Sequence, residues 1–126
     1  MSHRGASASQ HLITFTAGAA IAEGAAVKCD STANQVVVAG NNELAIGIAM
    51  VAATAAGDLV SVALAAPCVD AKANAAISYG DSVQSVASTG LIGTAASGEW
   101  AIGIALEAAT AQNDFITILL GLHSVI

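Results

Sequence analysis

The sequence is poor in the residues from which binding and catalytic sites are usually built. Aromatic residues make up 3% of its 126 residues and charged residues 10%, and it has two cysteines and one proline. The aromatic residues are Phe15, Tyr79, Trp100 and Phe115. With so few large rings, any core has to be thin and built from small, closely packed side chains.

Positive charge is the scarcest property. Arg4, Lys28 and Lys72 stand against nine acidic residues, which gives a net charge of −6. Nucleic-acid binding depends on lysine and arginine that neutralise phosphates, so the sequence excludes a nucleic acid as a partner. The carboxylates are scattered along the chain, which is typical of solvated loops.

Long hydrophobic runs are also missing. The most apolar stretch without a charge, Leu44 to Gly57, has 14 residues, whereas a membrane-spanning helix needs about 20. Residues 1–10 contain no apolar segment of the kind found in a signal peptide. We therefore expect no membrane partner.

Candidate catalytic and cofactor-binding groups are few. The histidines His3, His11 and His123 lie near the chain ends, and Cys29 and Cys68 are too far apart for a zinc or redox motif. No glycine-rich phosphate loop is present. We expect no enzyme activity, no cofactor and no metal, and we expect free, partly buried thiols, with a disulfide as the alternative.

What the sequence does contain is a duplication. Residues 43–64 align without a gap with residues 99–120, 56 positions later, and 12 of the 22 pairs are identical. The offset continues upstream, which defines repeats of about residues 10–65 and 66–121. Hydrophobic residues reach 56% of the chain, so we expect some apolar surface to lie in a partner interface.

Turns are predicted by a recurrent exchange between the repeats. Glycine aligns with asparagine at four positions, and these are the two residue types that most readily accept a positive φ. Together with an aligned glycine pair, these positions predict structural turns at Gly18, Gly24, Asn34, Asn42, Gly57, Asn74, Gly80, Gly90, Gly98 and Asn113.

Between the turns lie short β-branched runs that predict strands. They are residues 35–39, 45–50, 59–64, 101–106 and 115–120, with a further strand near Leu91. Gly47 and Gly103 interrupt two of these runs, which indicates a bulge or a close backbone approach. The alanine-rich segment from Val51 to Ala56 favours one helical turn at most.

These patterns predict an all-β fold, a small barrel or sandwich built from two pseudo-twofold repeats, in which each half supplies equivalent strands to one closed or nearly closed barrel. Residues 11–126 would form a single domain. Residues 1–10 are polar and predict a flexible N-terminal arm.

Four acidic residues recur at equivalent positions: Glu43 and Glu99, and Asp58 and Asp114. Aspartate beside a glycine or asparagine turn commonly accepts hydrogen bonds from its own backbone. We therefore expect capping roles, with calcium binding at these turns as the alternative.

Three segments carry a resemblance to a known family. In order they are AGAAIAEGAAVK (residues 17–28), AIGIA (residues 45–49) and AAGDLVSVAL (residues 55–64). Together they resemble the DUF2190-like group of tailed-phage capsid decoration, or cement, proteins. The resemblance covers nearly the whole chain and rests on patterns of small residues.

The resemblance implies a structural protein of the virion, made in the bacterial host cytoplasm. Such a protein binds the outer surface of an icosahedral head as a homotrimer and ties neighbouring major capsid proteins together. The polar arm is the predicted capsid-binding segment, with Ser2, His3, Arg4 and Gln10 as its candidate contacts. Trp100 and Phe115, which replace Leu44 and Leu59 of the first repeat, are predicted anchors of the core or of an interface.

A second interpretation is a carbohydrate- or ligand-binding β-barrel of a phage tail or bacterial surface. Sugar sites use exposed aromatic faces beside carboxylates and amides. The single tryptophan and single tyrosine make this pattern weak.

Overall fold

The computed structural model describes residues 11–41, 43–65, 68–86 and 89–125, so the N-terminal arm of residues 1–10 lies outside the described residues. Ten strands and no helix occur in these ranges, which confirms the all-β expectation. The strands are β1 (His11–Ala17), β2 (Ala26–Cys29), β3 (Gln35–Val38), β4 (Gly47–Ala49), β5 (Leu59–Ala65), β6 (Val69–Lys72), β7 (Ser82–Ser85), β8 (Ile92–Thr94), β9 (Trp100–Ala105) and β10 (Phe115–Ser124).

The first repeat forms a closed five-stranded barrel in the order β1-β3-β2-β4-β5. β5 pairs antiparallel with β1 along its length, from Leu59 opposite Thr16 to Ala65 opposite His11. β1 then pairs in parallel with β3, where Ala17 lies opposite Val36. This parallel contact closes the barrel.

The second repeat contains the same five strands, β6 to β10, in the order β6-β10-β9-β7-β8. This repeat is a five-stranded sheet rather than a closed barrel. A single parallel bridge between Ala73 and Ile92, the equivalents of Ala17 and Val36, brings its outer strands together, so the sheet is nearly closed and we call it the second barrel. The prediction of one barrel shared by both halves is therefore wrong in this respect. Each repeat carries a full set of five strands, so each folds onto itself.

Two apolar clusters hold the barrels together. One fills the first repeat and includes Ile21, Val27, Val36, Val60 and Val62. The other fills the second repeat and also contains side chains from the first: Ala26, Ala39, Ala45, Ile48 and Ala63. Because the second core extends into the first repeat, the two barrels are packed as one unit.

Within the described ranges, backbone hydrogen bonds join the repeats at one place. Residues 24–26, which we call the bridging segment, lie between β6 and β8. The amide of Lys72 donates to the carbonyl of Gly24 at 3.0 Å, and the amide of Ala26 donates to the carbonyl of Gly90 at 2.7 Å. The bridging segment therefore occupies a seam in the second barrel.

The equivalent seam of the first barrel is closed. There the amide of Thr16, which corresponds to Lys72, donates directly to the carbonyl of Asn34, which corresponds to Gly90, at 2.9 Å. Insertion of the bridging segment thus explains why only one bridge joins β6 to β8.

Positive φ values mark most of the predicted turns. They occur at Gly24 (83°), Asn34 (62°), Gly57 (94°), Gly80 (87°), Gly90 (78°), Gly98 (86°) and Asn113 (74°). Asn42 lies outside the described residues.

Gly18 and Asn74 do not adopt a positive φ, so the left-handed assignment is wrong for this pair. Both instead continue the parallel seam, because their amides donate to Val36 and Ile92 at 2.8 and 2.7 Å. A Cβ at Gly18 would lie 2.6 Å from Nε2 of Gln35, so space favours glycine there.

Gly47 and Gly103 sit where two backbones approach closely. A Cβ at Gly47 would collide with the carbonyl oxygen of Ala63, and one at Gly103 with that of Leu119. Close approach therefore explains both glycines. At Gly103 the predicted bulge is also present, because the register with β10 shifts between Leu120 and His123. In the described part of the chain, no helix has the length and apolarity needed to cross a membrane.

Candidate functional site

An apolar groove lies at the junction of the two repeats. It has a volume of about 310 Å³ and is lined almost entirely by aliphatic side chains: Leu44, Ala45, Ile46, Leu64, Ile102, Leu120, Gly121 and Leu122. Both repeats contribute, through the end of β5 and the second half of β10. An apolar groove of this kind suits a hydrophobic partner segment.

Large exposed side chains surround this groove. Leu44, Trp100 and Leu122 are each 53% exposed. Leu122 belongs to the part of β10 that continues past the end of the duplication, so the groove has no equivalent in the first repeat. The sequence does contain an indication of this groove. Leu120 and Leu122 are apolar residues two positions apart, which is the spacing of side chains on one face of a strand.

The recurrent aspartates cap turns, as predicted. Oδ2 of Asp58 accepts hydrogen bonds from the Thr54 hydroxyl at 2.8 Å and amide at 3.0 Å, and from the Ala55 amide at 3.2 Å. These bonds, led by the one from the hydroxyl, lower the pKa of Asp58. The carboxylate of Asp58 therefore stabilises the turn of residues 54–58.

The second copy reproduces this turn. Oδ2 of Asp114 accepts bonds from the Thr110 amide and hydroxyl, both at 3.0 Å, and from the Ala111 amide at 3.1 Å. The amide bond from Thr110 is the main cause of the lowered pKa of Asp114.

The recurrent glutamates also cap, and each adds a side-chain contact. Oε1 of Glu43 accepts from the Gly40 amide at 2.6 Å and from Nζ of Lys28 at 2.8 Å, and the bond from Lys28 is the main reason that its pKa is lowered. Oε1 of Glu99 accepts from the Ala96 amide at 2.7 Å and from Nε2 of Gln84 at 2.9 Å.

In the part of the chain that the structure describes, one serine–histidine contact resembles a nucleophile and base. Oγ of Ser82 lies 3.1 Å from Nε2 of His123, and Nδ1 of His123 lies 2.9 Å from the carbonyl oxygen of Gly121. The carbonyl requires a proton on Nδ1, so Nε2 accepts from the serine. In a catalytic triad a carboxylate accepts this hydrogen bond and stabilises the charged imidazole. Here a neutral backbone carbonyl takes that place, so the imidazole of His123 lacks this stabilising charge.

No group of three or more potential metal ligands occurs in the ranges that the structure describes. Across those same ranges, no disulfide joins Cys29 to Cys68. Cys29 is exposed rather than partly buried, whereas Cys68 is partly buried as expected. His3 belongs to the undescribed arm.

The predicted site residues separate into three regions. The capsid-binding candidates Ser2, His3, Arg4 and Gln10 lie outside the described residues. Trp100 lies beside the groove, in a small depression that Glu43 and Gln84 also line. Phe115 lies at the other side of the second barrel, with Nζ of Lys72 5.7 Å from its ring centre.

Neither aromatic residue belongs to the core. Trp100 is 53% and Phe115 38% exposed, because both lie on the outward faces of their strands. The core alternative for these two residues is therefore wrong, and the interface alternative stays a prediction. Sequence reasoning also passed over Leu59 and Tyr79, which at 69% and 74% are the most exposed large apolar side chains of the described chain.

Known proteins resemble this chain in sequence and in fold. A family model described as phage cement protein matches residues 55–122, which is more than half of the chain and spans the second repeat. No curated protein matches the sequence.

Among solved structures, the N base of head fiber gp8.5 from bacteriophage phi29 superposes with a TM-score of 0.73 at 16% identity, covering 89% of this chain and 94% of that one. At this identity the likeness concerns the fold. The family match over more than half of the sequence agrees with the resemblance carried by residues 17–64, and this chain belongs to the phage cement protein family.

Proposed function

We propose that this protein binds the outer surface of an icosahedral phage head as a homotrimer and holds neighbouring major capsid proteins together. The observation that carries the proposal is its membership of the phage cement protein family. The protein would be made in the cytoplasm of the bacterial host and would need no cofactor, nucleic acid, membrane or catalytic group for this work.

The charges of the described surface support an outward-facing position. Lys28 pairs with Glu43 at 2.8 Å, and Lys72 lies over the ring of Phe115. Both described cations are therefore engaged, while the chain as a whole carries a net charge of −6. Such a surface repels the DNA that fills a head and suits the outer face.

The groove end is the part of the molecule that we propose faces the capsid. His11 lies opposite Ala65 at the start of β1, directly beside Leu64, which lines the groove. The described chain begins at this end, so we propose that residues 1–10 act here. Arm residues Ser2, His3, Arg4 and Gln10 would bind the capsid together with the apolar groove.

Stabilisation of a lattice follows from multivalency. Three arms and three grooves in one trimer would contact several capsid subunits at once. Each contact can be weak, because the first one raises the effective concentration of the others.

Occupancy on heads that lack this protein is the direct test. Purified protein is mixed with such heads, the heads are sedimented, and bound copies are counted by quantitative gel analysis. We expect saturable binding and greater resistance of the decorated heads to heating. An acidic β-barrel protein of unrelated origin is the control, and it should not bind the heads.

The arm has its own test. Deletion of residues 2–10 should lower head occupancy while the melting temperature stays unchanged, whereas Arg4→Ala alone should produce a smaller loss. Unchanged occupancy after the deletion would show that the groove end binds without the arm.

One observation supports the second candidate function, carbohydrate binding. Trp100, Glu43 and Gln84 line one depression, which brings an exposed aromatic ring beside a carboxylate and an amide. However, Glu43 accepts from Lys28, and Nε2 of Gln84 donates to Glu99, which leaves Oε1 of Gln84, among the described residues, as the buried polar atom without a partner. A glycan array with wild-type protein and Trp100→Ala tests this candidate, which predicts a signal that the variant loses.

A further inference from the structure

The contact between the two repeats has two halves, and the duplication supplies each half a second time. One half is the bridging segment of residues 24–26. The other is the seam of the second barrel, formed by Lys72, Gly90 and Phe115. Gly24 and Ala26 are bonded to Lys72 and Gly90 across this contact, and a Cβ at Gly24 would lie 2.7 Å from Cε2 of Phe115.

The second copy of the bridging segment is residues 80–82. Gly80 has nearly the same backbone conformation as Gly24, with φ of 87° against 83°. Its amide also makes the same bond, to Ala105 as Gly24 does to Ala49, both at 2.8 Å. The loop is thus built in the same way in both repeats.

The surroundings of the two loops differ. Gly24 and Ala26 are buried, but Gly80 is exposed and Ser82 is partly buried. A Cβ at Gly80 would meet nothing within 4 Å. Among the described residues, none donates to the carbonyl of Gly80, whereas Gly24 accepts from Lys72. Residues 80–82 therefore have the conformation of the bridging segment but are not inserted between two strands.

The first barrel carries the matching seam without a bridging segment. Its residues are Thr16, Asn34 and Leu59, the equivalents of Lys72, Gly90 and Phe115. Thr16 lies opposite Leu59 in the sheet, as Lys72 lies opposite Phe115. Asn34 is exposed where Gly90 is buried, and Leu59 is 69% exposed where Phe115 is 38% exposed.

The most exposed apolar side chains mark both unused halves. Tyr79, at 74% exposure, precedes Gly80 in the free loop and stands where the first repeat has Glu23. Leu59 lies in the free seam. Exposed apolar groups of this size at two complementary surfaces are typical of an interface that is completed by a partner.

We propose that copies of this chain associate head to tail by repeating the contact between the repeats, so that residues 80–82 of one copy enter between β1 and β3 of the next. The bond from Thr16 to Asn34 would be replaced by one from Thr16 to Gly80 and one from Ser82 to Asn34. The same exchange distinguishes the second barrel from the first within one chain.

Such an interface is heterologous, because each copy uses a different surface on each side. It closes into a ring when the rotation between copies allows. This inference deepens the proposed function and rests on its homotrimer, for which it supplies the contact.

Two substitutions test the two halves separately. Leu59→Glu places a charge in the seam and Tyr79→Glu places one beside the loop. Both sites are exposed, so both variants should fold with the circular-dichroism spectrum of the wild type, although they lose the stability that assembly adds. Leu44→Glu, at a 53% exposed position near the groove, is the matched control. By light scattering we expect the wild type and the control to be oligomeric and both test variants to be monomers of 12.2 kDa.

Mixing the two variants then identifies the interface type. The Leu59→Glu copy keeps an intact loop and the Tyr79→Glu copy keeps an intact seam, so the mixture should form a one-to-one complex that neither variant forms alone. Absence of this complex, or oligomers that persist in both variants, would overturn the inference but leave the homotrimer standing. A wild type that stays monomeric at high concentration would overturn both, while head binding is measured independently.

Discussion

Single residues show how tightly the sheets constrain this small-residue sequence. Gly47 and Gly103 occupy equivalent strand positions at which a Cβ would strike the carbonyl of the neighbouring strand. Gly121 also lies in a strand, but a Cβ there would meet nothing within 4 Å. Glycine is therefore required by space at Gly47 and Gly103 but not at Gly121.

Gly47→Ala should destabilise the protein, because neighbouring backbone cannot move aside without breaking sheet pairing. Overpacking of this kind typically costs about 1–3 kcal/mol. Chemical unfolding followed by circular dichroism measures the difference. Gly121→Ala is the control and should leave the unfolding free energy within about 0.5 kcal/mol of wild type. Equal effects of the two substitutions would show that space at Gly47 is not the constraint.

The capping aspartates predict how stability depends on pH. Hydrogen bonds lower the pKa of Asp58 and of Asp114 in the folded state. A lowered folded-state pKa contributes stability that is present above the unfolded value, about pH 4, and is lost as pH falls through the folded value. Acid should therefore weaken the protein below about pH 4.

The double substitution Asp58→Asn and Asp114→Asn should lower the melting temperature at neutral pH and reduce its fall in acid. Melting temperatures measured across the acid range for wild type and variant provide the test. Glu23→Gln changes an exposed carboxylate and serves as the control. A variant that keeps the full acid dependence of the wild type would refute a role for these two turns.

At the scale of the elements, the sequence was informative where strands contain β-branched runs. It predicted β3, β5 and β10 because Val, Ile, Leu and Thr dominate them. It did not predict β1, β2, β6 or β7. The sequences of β2, β6 and β7 (AVKC, VDAK and SVQS) lack such runs, whereas β1 (HLITFTA) contains one that was missed. The exchange of Asn34 for Gly90 identified a turn that the structure forms with positive φ in both repeats.

The groove and the bridging segment were beyond the reach of sequence patterns. Both depend on how one barrel stacks on the other, which no periodicity records. Leu64 and Leu120 lie at equivalent positions of the duplication, yet they line the same groove only because the barrels meet there. Similarly, Gly24 and Gly80 are alike in sequence and differ only in what covers them.

β4 provides a test of coupling between the barrels. Ile48 is fully buried and belongs to the cluster that fills the second repeat, although it lies in the first. Ile48→Ala should cost about 2–5 kcal/mol. The single tryptophan, Trp100, reports on the second repeat. The midpoints of unfolding measured by its fluorescence and by circular dichroism should therefore fall together.

Val51→Ala, at a 46% exposed position of the same repeat, is the control and should change the unfolding free energy by less than about 0.5 kcal/mol. If Ile48→Ala shifts circular dichroism but leaves the fluorescence midpoint unchanged, the barrels unfold separately.

For the whole molecule, affinity for the head should depend on assembly more than on any one contact. A Leu59→Glu variant that is monomeric keeps its arm and groove but loses the linkage between copies. We expect its apparent affinity for heads to fall by about 10²- to 10⁴-fold. Titration of undecorated heads with wild type, Leu59→Glu and Leu44→Glu separates these effects.

In that titration, Leu44→Glu should weaken binding without changing the oligomeric state, since it alters the groove. Equal affinity of monomeric and oligomeric protein would show that each subunit binds alone.

The bridging segment also bears on how such a chain arose. A precursor of one repeat would have carried both a free loop and a free seam, so its copies would have been able to join head to tail through this one contact. Fusing two precursors makes one of every two joints covalent and permanent. The ancestral assembly contact thereby becomes part of a folded chain, while the remaining joint stays open to control by concentration.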